Sequence, residues 1–588
     1  MNKVLKYSGG ILSFSFGIAV WLFFALAYSN HLHYQEQFQM FLFTSDYWAD
    51  LMSRPGGLAD YLGTFFTQFY YHSWLGAFII ALFLVFLQQQ VCFISSRLKN
   101  NPLLYPLTFI PSIIFWVLFC DENYLLASLI AVMLTLLAVQ LYLYLRNPLV
   151  RIVFAAMMLL ALYWLVGGVF WIFALLVICV ELFFFRQLTK FQWVVLISLF
   201  VVCIAVPPLL TKQTMQYPLS RLWWGISYNR YSTVSPVPLL LAWISIPLVS
   251  LMFLLPVKSM GSKPAIFWLC VEVIALIVVG DWFVRHSVDG AKEEIMAYDY
   301  NVRMQNWDQV IAMADRKAPD SPISVACLNL ALCKEGKMND NMFHYFQNGP
   351  EGLLPSFKRD FTVPMIVSEI YYHLGFLNTS LQYDFEAMEA IPDYKKSSRA
   401  IKRMAEVNLL NGEYKVAEKY LHMLQHTLFY SSWANEAMQC IGNETKMDAD
   451  PEWAQLRQYR MKEDVLFSEE QKDQMLGLLF MNCKTNRMAY EYLIAYTLLN
   501  KDLNHFVQYF PIGKTLNYKE IPVHYQEALL AFWAGSGRKM ADFPWPVSQT
   551  VGERFNNYAR LSSSGGYAEE QIKNLYSQTY WYYLQFRK

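Results

Sequence analysis

The sequence predicts an all-α protein: a polytopic transmembrane helix bundle followed by a soluble helical domain. Residues 1–283 hold 14 Lys/Arg and 9 Asp/Glu, whereas the remaining 305 residues hold 33 Lys/Arg and 37 Asp/Glu. The first half also contains apolar runs of about 18 residues or more, the length that a bilayer core requires. The second half shows amphipathic helix patterns between short turns. We therefore predict a transmembrane domain over 1–285 and a helical domain over 286–588.

Nine membrane spans are predicted from the apolar runs of the first half. They are 9–28, 74–95, 103–119, 124–145, 151–166, 168–184, 192–210, 237–256 and 265–283. The fifth and sixth are separated only by Gly167 and Gly168. The apolar run at the N-terminus lacks a small-residue cleavage site, so it is interpreted as a retained signal anchor.

The distribution of Lys and Arg predicts the orientation, because cytoplasmic loops retain positive charge. Basic residues precede the first span and follow the second, fourth, sixth and eighth spans. The opposite loop at Asp121 and Glu122 is acidic, although the loop 211–236 on that side carries three basic residues. The sequence thus predicts a bacterial inner-membrane protein with a cytoplasmic N-terminus and a periplasmic C-terminal domain.

The second half is predicted to consist of helix pairs joined by short turns. Turn sequences occur at 332–338, 374–378, 409–414 and 498–503, each followed by a helix that carries aromatic residues. Small and aromatic residues at such offsets let one helix pack on its partner, as in repeat arrays. The region 290–510 loosely resembles tetratricopeptide repeats. The alternative is an irregular α-solenoid or helical bundle, and either surface suits a protein, peptide or glycan partner.

The first outer loop, 29–73, carries the most suggestive polar residues. These are His31, His33, Glu36, Asp46, Asp50 and Asp60. The loop is interrupted at Pro55-Gly56-Gly57, and the apolar residues from Leu58 to Phe69 then fall on one helix face. This pattern predicts a helix that lies in the membrane interface.

A first span, a long acidic outer loop and short following spans resemble the C superfamily of glycosyltransferases. That resemblance implies a polyprenyl-phosphate sugar donor and an essential carboxylate in the first outer loop. Asp46 and Asp50 are four residues apart here, not in the adjacent or DxD pattern of many members. The layout also resembles a family of bacterial inner-membrane proteins of unknown function that carry a helical outer domain.

The chemistry that this resemblance implies can be assigned to particular residues. Asp46 or Asp50 is expected to act as catalytic base, and Asp121 and Glu122 to bind a divalent cation. Donor binding is expected from Glu36 and from Arg221, Arg230, Trp223 and Trp224 of the loop 211–236. The planar guanidinium of arginine bonds two phosphate oxygens at once. The alternative interpretation is that these are ordinary loop charges and interfacial anchors.

Glu272 is a separate candidate, since it lies inside the predicted ninth span. A charge there is costly, so intramembrane acids face a partner or a cavity. The functional interpretation is a proton or substrate path, and the alternative is a protonated acid that hydrogen-bonds a neighbouring side chain.

Three functions remain open from the sequence. The first is a lipid-linked-sugar glycosyltransferase, and the second is a non-catalytic membrane scaffold whose helical domain binds envelope partners. The third, a transporter, has only Glu272 in its favour. The sequence shows no basic run that would predict nucleic-acid binding.

Overall fold

The chain forms two compact units, each built from helices. The computed structural model describes residues 2–231, 237–256, 262–461, 467–563 and 569–587. The first unit comprises Met1–Glu293, Pro392–Ser398 and His426–Ser431, and the second comprises Glu294–Ile391, Arg399–Gln425 and Ser432–Lys588. We call Pro392–Ser398 and His426–Ser431 the returning segments, because they belong to the first unit although they lie far along the chain. The predicted boundary near residue 285 did not anticipate them.

The prediction of an all-α protein is confirmed. Among the described residues, the one β-type pairing outside helices is the isolated bridge between Tyr124 and Asn229. The helices α1 to α13 of the first unit are, in order, Asn2–Leu22, Ser29–Gln37, Ser45–Met52, Gly57–Thr67, Ser73–Leu98, Ile110–Leu118, Leu126–Leu143, Pro148–Val166, Phe170–Val180, Lys190–Thr214, Leu219–Trp224, Val237–Met252 and Ser262–Ser287.

The prediction of nine spans is corrected by the helix lengths. Within the described residues, six helical segments are long and apolar enough to cross a membrane: Gly9–Ala27, Ser73–Leu98, Leu126–Leu143, Pro148–Phe185, Lys190–Thr214 and Pro264–Ser287. The predicted spans 103–119 and 237–256 form the shorter apolar helices Pro102–Leu118 and Val237–Met252. The first of these begins as a 3-10 helix that contains Pro106, which shortens its α-helical part to nine residues.

The two spans predicted at 151–166 and 168–184 form one apolar helical segment of 38 residues. The chain reverses direction inside it at Gly167, whose φ of +77° favours glycine. Gly168 is needed for a close approach, because a Cβ there would lie 2.3 Å from the carbonyl carbon of Trp224. The reversal places the start of α8 beside the end of α9.

A buried ion pair joins these two helix ends. Arg151 Nε lies 2.5 Å from Glu181 Oε1, and both side chains are fully buried. The hydroxyl of Tyr142 donates to the same oxygen at 2.6 Å, and the Arg151 guanidinium lies 3.8 Å from the ring centre of Phe185. The cost of burying each charge is thus offset by a partner and by further hydrogen bonds.

The second unit contains helices α14 to α31 and its own apolar core. In order, the helices are Gly290–Arg303, Trp307–Arg316, Pro322–Lys334, Met338–Asn341, Thr362–Leu374, Leu377–Glu389, Ser398–Asn411, Tyr414–Gln425, Ser431–Met438, Glu444–Met447, Pro451–Tyr459, Lys472–Asn482, Arg487–Leu499, Leu503–Tyr509, Val523–Gly535, Gln549–Ser562, Glu569–Tyr576 and Tyr580–Phe586. A few residues at the ends of α14, α20 and α22 belong to the first unit.

The four turns predicted in the second half are confirmed. Each lies between consecutive helices and contains one residue with positive φ: Gly336, Gly375, Gly412 and Lys501. A residue in this conformation ends a helix and lets the next one begin. The helices confirm the predicted pairs, whereas a regular repeat array stays a prediction.

We predict that Arg151→Met destabilises the protein by about 3–5 kcal/mol, because it leaves the Glu181 carboxylate buried without its cation. The double variant Arg151→Met, Glu181→Met should recover most of this loss. Thermal unfolding in detergent measures both effects. The control is Lys190→Gln, an exposed cation at the first residue of α10. A loss no larger for Arg151→Met than for Lys190→Gln would contradict the structural role of the pair.

Candidate functional site

The helix α2 is polar and yet buried. His31 to Gln37 are buried without interruption, and burial continues through Phe41. Polar side chains inside a protein need hydrogen-bond partners. Gln35 illustrates this, because its Nε2 donates to the carbonyl of Tyr124 at 3.0 Å. The polar residues of α2 therefore need partners in the elements that surround this helix.

The carboxylate of Glu293 caps the N-terminus of α2. It accepts hydrogen bonds from the N–H and the side-chain amide of Asn30, both at 2.9 Å, and from the N–H of His31 at 3.1 Å. A negative charge is favoured at this end of a helix. Burial nevertheless raises the pKa of Glu293 to about 7, although these donors oppose the rise. Burial lowers the pKa of His31 to about 4, so its imidazole is neutral at pH 7.

The predicted metal ligands Asp121 and Glu122 shape a turn beside α2. Asp121 Oδ1 accepts from the N–H of Asn123 at 2.9 Å, and Lys292 Nζ lies 2.7 Å from Glu122 Oε1. Burial raises the pKa of Asp121 above its ordinary value. Across the described residues, no group of three or more His, Cys, Asp or Glu side chains is placed to hold a metal ion. The metal role stays a prediction.

Asp60 is the centre of a buried charge cluster. Its side chain is 1% exposed and accepts hydrogen bonds from Arg54 at 2.9 Å, Lys395 at 2.8 Å and Ser227 at 2.9 Å. Burial alone would raise the pKa of Asp60, but the adjacent Lys395 and Arg54 hold it below the ordinary value of 3.8. The cluster joins α4 to the loop after α11 and to the first returning segment.

Arg221 pairs with the same returning segment. Its Nη2 lies 2.6 Å from Asp393 Oδ2 and donates to the carbonyl of Ile226 at 2.9 Å. The side chains of Arg221 and Asp393 are each only 12% exposed. The guanidinium predicted to bind a donor phosphate is therefore already matched by a carboxylate.

Glu36 and Arg230, also predicted to bind substrate, are both buried, Glu36 within α2 and Arg230 beside it. Arg230 Nη1 donates to the hydroxyl of Tyr34 at 3.0 Å, and its guanidinium lies 4.6 Å from the ring centre of Phe38. The hydroxyl of Tyr430, in the second returning segment, lies 3.1 and 3.2 Å from the two carboxylate oxygens of Glu36. Three of the predicted residues, Glu36, Arg221 and Arg230, thus belong to one polar layer. We use this name for these residues and Asp60, together with their partners Tyr34, Asp393, Lys395 and Tyr430.

The returning segments are also held by main-chain and aromatic contacts. The N–H of Met40 donates to the carbonyl of Lys396 at 3.0 Å, and that of Phe43 to the carbonyl of His426 at 2.8 Å. Phe429 stacks on Tyr71, with ring centres 5.0 Å apart and planes within 5°. Each segment is therefore fixed by backbone geometry as well as by side chains.

The predicted catalytic carboxylates lie elsewhere, on the exposed surface of α3. Among the described residues, Asp46 accepts only a long hydrogen bond of 3.5 Å from Ser45, and the carboxylate of Asp50 has no ion pair. The neighbouring Trp48 is 42% exposed and meets the ring of Tyr61 edge to face. The catalytic role of Asp46 and Asp50 stays a prediction.

The remaining candidates are separate from this layer. Trp224 is 41% exposed and Trp223 half-buried, and their backbone packs against Gly168. Glu272 is half-buried on α13, where its Oε2 has no hydrogen-bond partner among the described residues. The last five residues of the predicted loop 211–236 lie outside the described residues.

Sequence reasoning missed the residues that complete the layer. Lys395, Asp393 and Tyr430 lie in turns of the helical half, and nothing in their local sequence indicates contact with the first outer loop. In the sequence Asp60 is one acid among several in the loop 29–73, and one local feature distinguishes it. It is the acidic residue in the first turn of a helix that follows Pro55-Gly56-Gly57.

We predict that Asp60→Asn destabilises the protein by about 3–5 kcal/mol at pH 7, because it leaves Lys395 and Arg54 without their shared anion. The effect should depend on pH. Since the folded pKa of Asp60 is depressed, its contribution is full above the ordinary value of 3.8 and is lost as the pH falls through the folded pKa. Unfolding midpoints of wild type and Asp60→Asn should therefore converge under acid conditions.

Asp46→Asn provides the matched control for this measurement, since it removes an exposed carboxylate from the same loop. It should change stability by less than about 0.5 kcal/mol. Equal effects of the two substitutions at pH 7 would argue against Asp60 as the centre of the cluster.

Comparison with known proteins assigns the chain to a family. A family model described as a family of unknown function, DUF6057, matches residues 3–587. Neither the curated proteins nor the solved structures include a match to the chain. The predicted resemblance to glycosyltransferases thus has no match behind it and stays a prediction. Because the model covers both units and the returning segments, the chain belongs to the DUF6057 family.

Proposed function

We propose that the protein is a non-catalytic membrane scaffold whose helical half recruits partners in the cell envelope. The single observation that carries this proposal is the pairing of the predicted site residues with the returning segments. Asp60 meets Lys395, Arg221 meets Asp393, and Glu36 meets Tyr430. The charges that a catalyst would present to a substrate are used to hold the protein's own chain.

The electrostatics of the arginines support this interpretation. A phosphate-binding arginine must offer its donors to the ligand, whereas Arg221 is committed to a carboxylate and a carbonyl. Arg230 is 4% exposed and packs against aromatic rings. Releasing either group for a substrate would leave a buried charge uncompensated, which is costly.

The helical half supplies the surface for recruitment. Its helix pairs and turns suit a protein or glycan partner, and an array of tetratricopeptide type is one form that this surface can take. The bilayer is the other partner, through the apolar helices of the first unit. We place the scaffold in a bacterial inner membrane, with the N-terminus in the cytoplasm and the helical half in the periplasm. Opposite sides require an odd number of crossings, and the six long segments give seven when the reversal at Gly167 divides the 38-residue segment into two crossings.

Two sets of contacts support that orientation. Arg146, Arg151 and Glu181 meet at one end of the helices, where Lys99 also donates to the carbonyl of Leu254. The polar layer with the returning segments forms at the other ends of the same helices. Since basic loops remain in the cytoplasm, the returning segments lie on the outer side. Lys258, which also belongs to the predicted basic loops, lies outside the described residues.

A second candidate function is the lipid-linked-sugar glycosyltransferase. The specific observation in its favour is the exposure of Asp46 and Asp50, four residues apart on α3 beside the exposed ring of Trp48. Exposed carboxylates can deprotonate an acceptor hydroxyl, and an exposed indole can pack on a sugar. A polyprenyl-phosphate donor and a divalent cation would accompany this function.

We predict that Asp46→Asn and Asp50→Asn leave the glycan profile of the producing cell and the set of co-purifying envelope proteins unchanged, because neither side chain supports the layer. Glycan analysis and affinity purification of the full chain measure the two outcomes. Lys395→Met is the contrasting variant, and it should reduce protein level or partner recovery by disturbing the layer. Loss of a glycan product in both aspartate variants, at normal protein levels, would favour the glycosyltransferase.

A further inference from the structure

An apolar groove runs along the membrane-facing side of the first unit. It encloses about 890 Å³ between α1, α6 with its preceding 3-10 turn, and α13. It follows α1 from Leu12 to Leu22, a rise of roughly 15 Å at 1.5 Å per residue, and continues along the π-helical turn Phe23–Ala27. Its volume lies within the range of about 300–1,000 Å³ that is typical of small-molecule sites.

The groove exists because α13 packs only lightly on the bundle. Just 6% of the most apolar stretch of α13 is buried. The helix meets α6 at Gly280, where a Cβ would lie 3.5 Å from the side chain of Ile113, and the groove separates it from α1. An empty gap in a bilayer forfeits the dispersion contacts of its walls, so hydrocarbon should fill it.

Apart from Ser15 on α1, the polar side chains that line the groove are the charged pair at one end of it. Asp281 and Arg285 both line it there, with Oδ2 and Nε 2.7 Å apart, and both side chains are more than half exposed. Trp116 also lines the groove, two residues before the end of α6 and between the rings of Phe16 and Phe23.

We propose that this groove is a binding site for a phospholipid with a zwitterionic ethanolamine headgroup. The acyl chain occupies the apolar groove. The phosphate pairs with Arg285 and the ammonium with Asp281. The argument rests on charge complementarity, because a site with one exposed charge of each sign matches a headgroup that also carries both. This site is independent of the proposed scaffold function.

The test uses the full chain purified in detergent, with native mass spectrometry and thermal unfolding as readouts. Dioleoyl phosphatidylethanolamine, dioleoyl phosphatidylglycerol and a polyprenyl phosphate are added separately. We expect phosphatidylethanolamine to bind on the order of tenfold more tightly than the other two and to raise the unfolding midpoint most. The combined variant Asp281→Asn, Arg285→Gln should lose this preference while still binding lipid.

Two further variants separate the groove from general lipid contact. Gly280→Leu should reduce binding of all three lipids by filling the groove, whereas Val279→Leu, exposed on the same helix outside it, should not. Arg97→Gln, an exposed cation elsewhere on the first unit, is the control for charge. Equal binding of the three lipids, tighter binding of an anionic one, or an unchanged preference in the Asp281→Asn, Arg285→Gln variant would overturn the proposal.

Discussion

The arrangement of the first unit depends on burying the carboxylate of Asp60. A buried carboxylate is stable only when it is paired with cations and hydrogen-bonded. Here Arg54 comes from six residues earlier, Ser227 from the loop after α11, and Lys395 from a helical half that begins more than 200 residues later. One electrostatic requirement therefore fixes three distant parts of the chain.

The same kind of pairing extends across the polar layer. Arg221 with Asp393 and Glu36 with Tyr430 each join a residue of the first half to a returning segment. These contacts are geometrically specific as well as stabilising, because a charged hydrogen bond forms only over a narrow range of distances and angles. Apolar burial stabilises the helix bundle below the layer, and polar pairing determines which loops meet above it.

Much of the fold could be predicted from the sequence, because helix periodicity, apolar length and turn residues act locally. The positive-φ turns at Gly375 and Gly412 are examples, since glycine tolerates a conformation that other residues avoid. The number of long apolar helices was harder to predict than the turns. Hydropathy detects the apolar run at 103–119 but does not reveal that its first half, with Pro106, forms a 3-10 helix. Likewise, Gly167 marks a break in the apolar run, but the sequence does not reveal that the two predicted spans on either side of it form one helical segment.

The candidate site was harder to predict for a physical reason. Long-range pairs such as Asp60 with Lys395 leave no periodic signal, so Asp46, Asp50 and Asp60 look alike in the sequence although their environments differ completely. Exposure separates the first two from the third, and exposure is a tertiary property. The arginines at 221 and 230 pair with residues far away in the sequence, and these partners within the protein could not be inferred.

The returning segments have a consequence for biosynthesis. Lys395 is made 335 residues after Asp60, which at 5–20 residues per second corresponds to roughly 20–70 s of translation. Throughout that interval the nascent membrane part carries an acid that has only Arg54 of its two cationic partners. Insertion of the early helices therefore proceeds with the second oxygen of that carboxylate hydrated in place of its contact with Lys395. Maturation of the membrane part finishes only when the later chain has been delivered to the same side of the lipid.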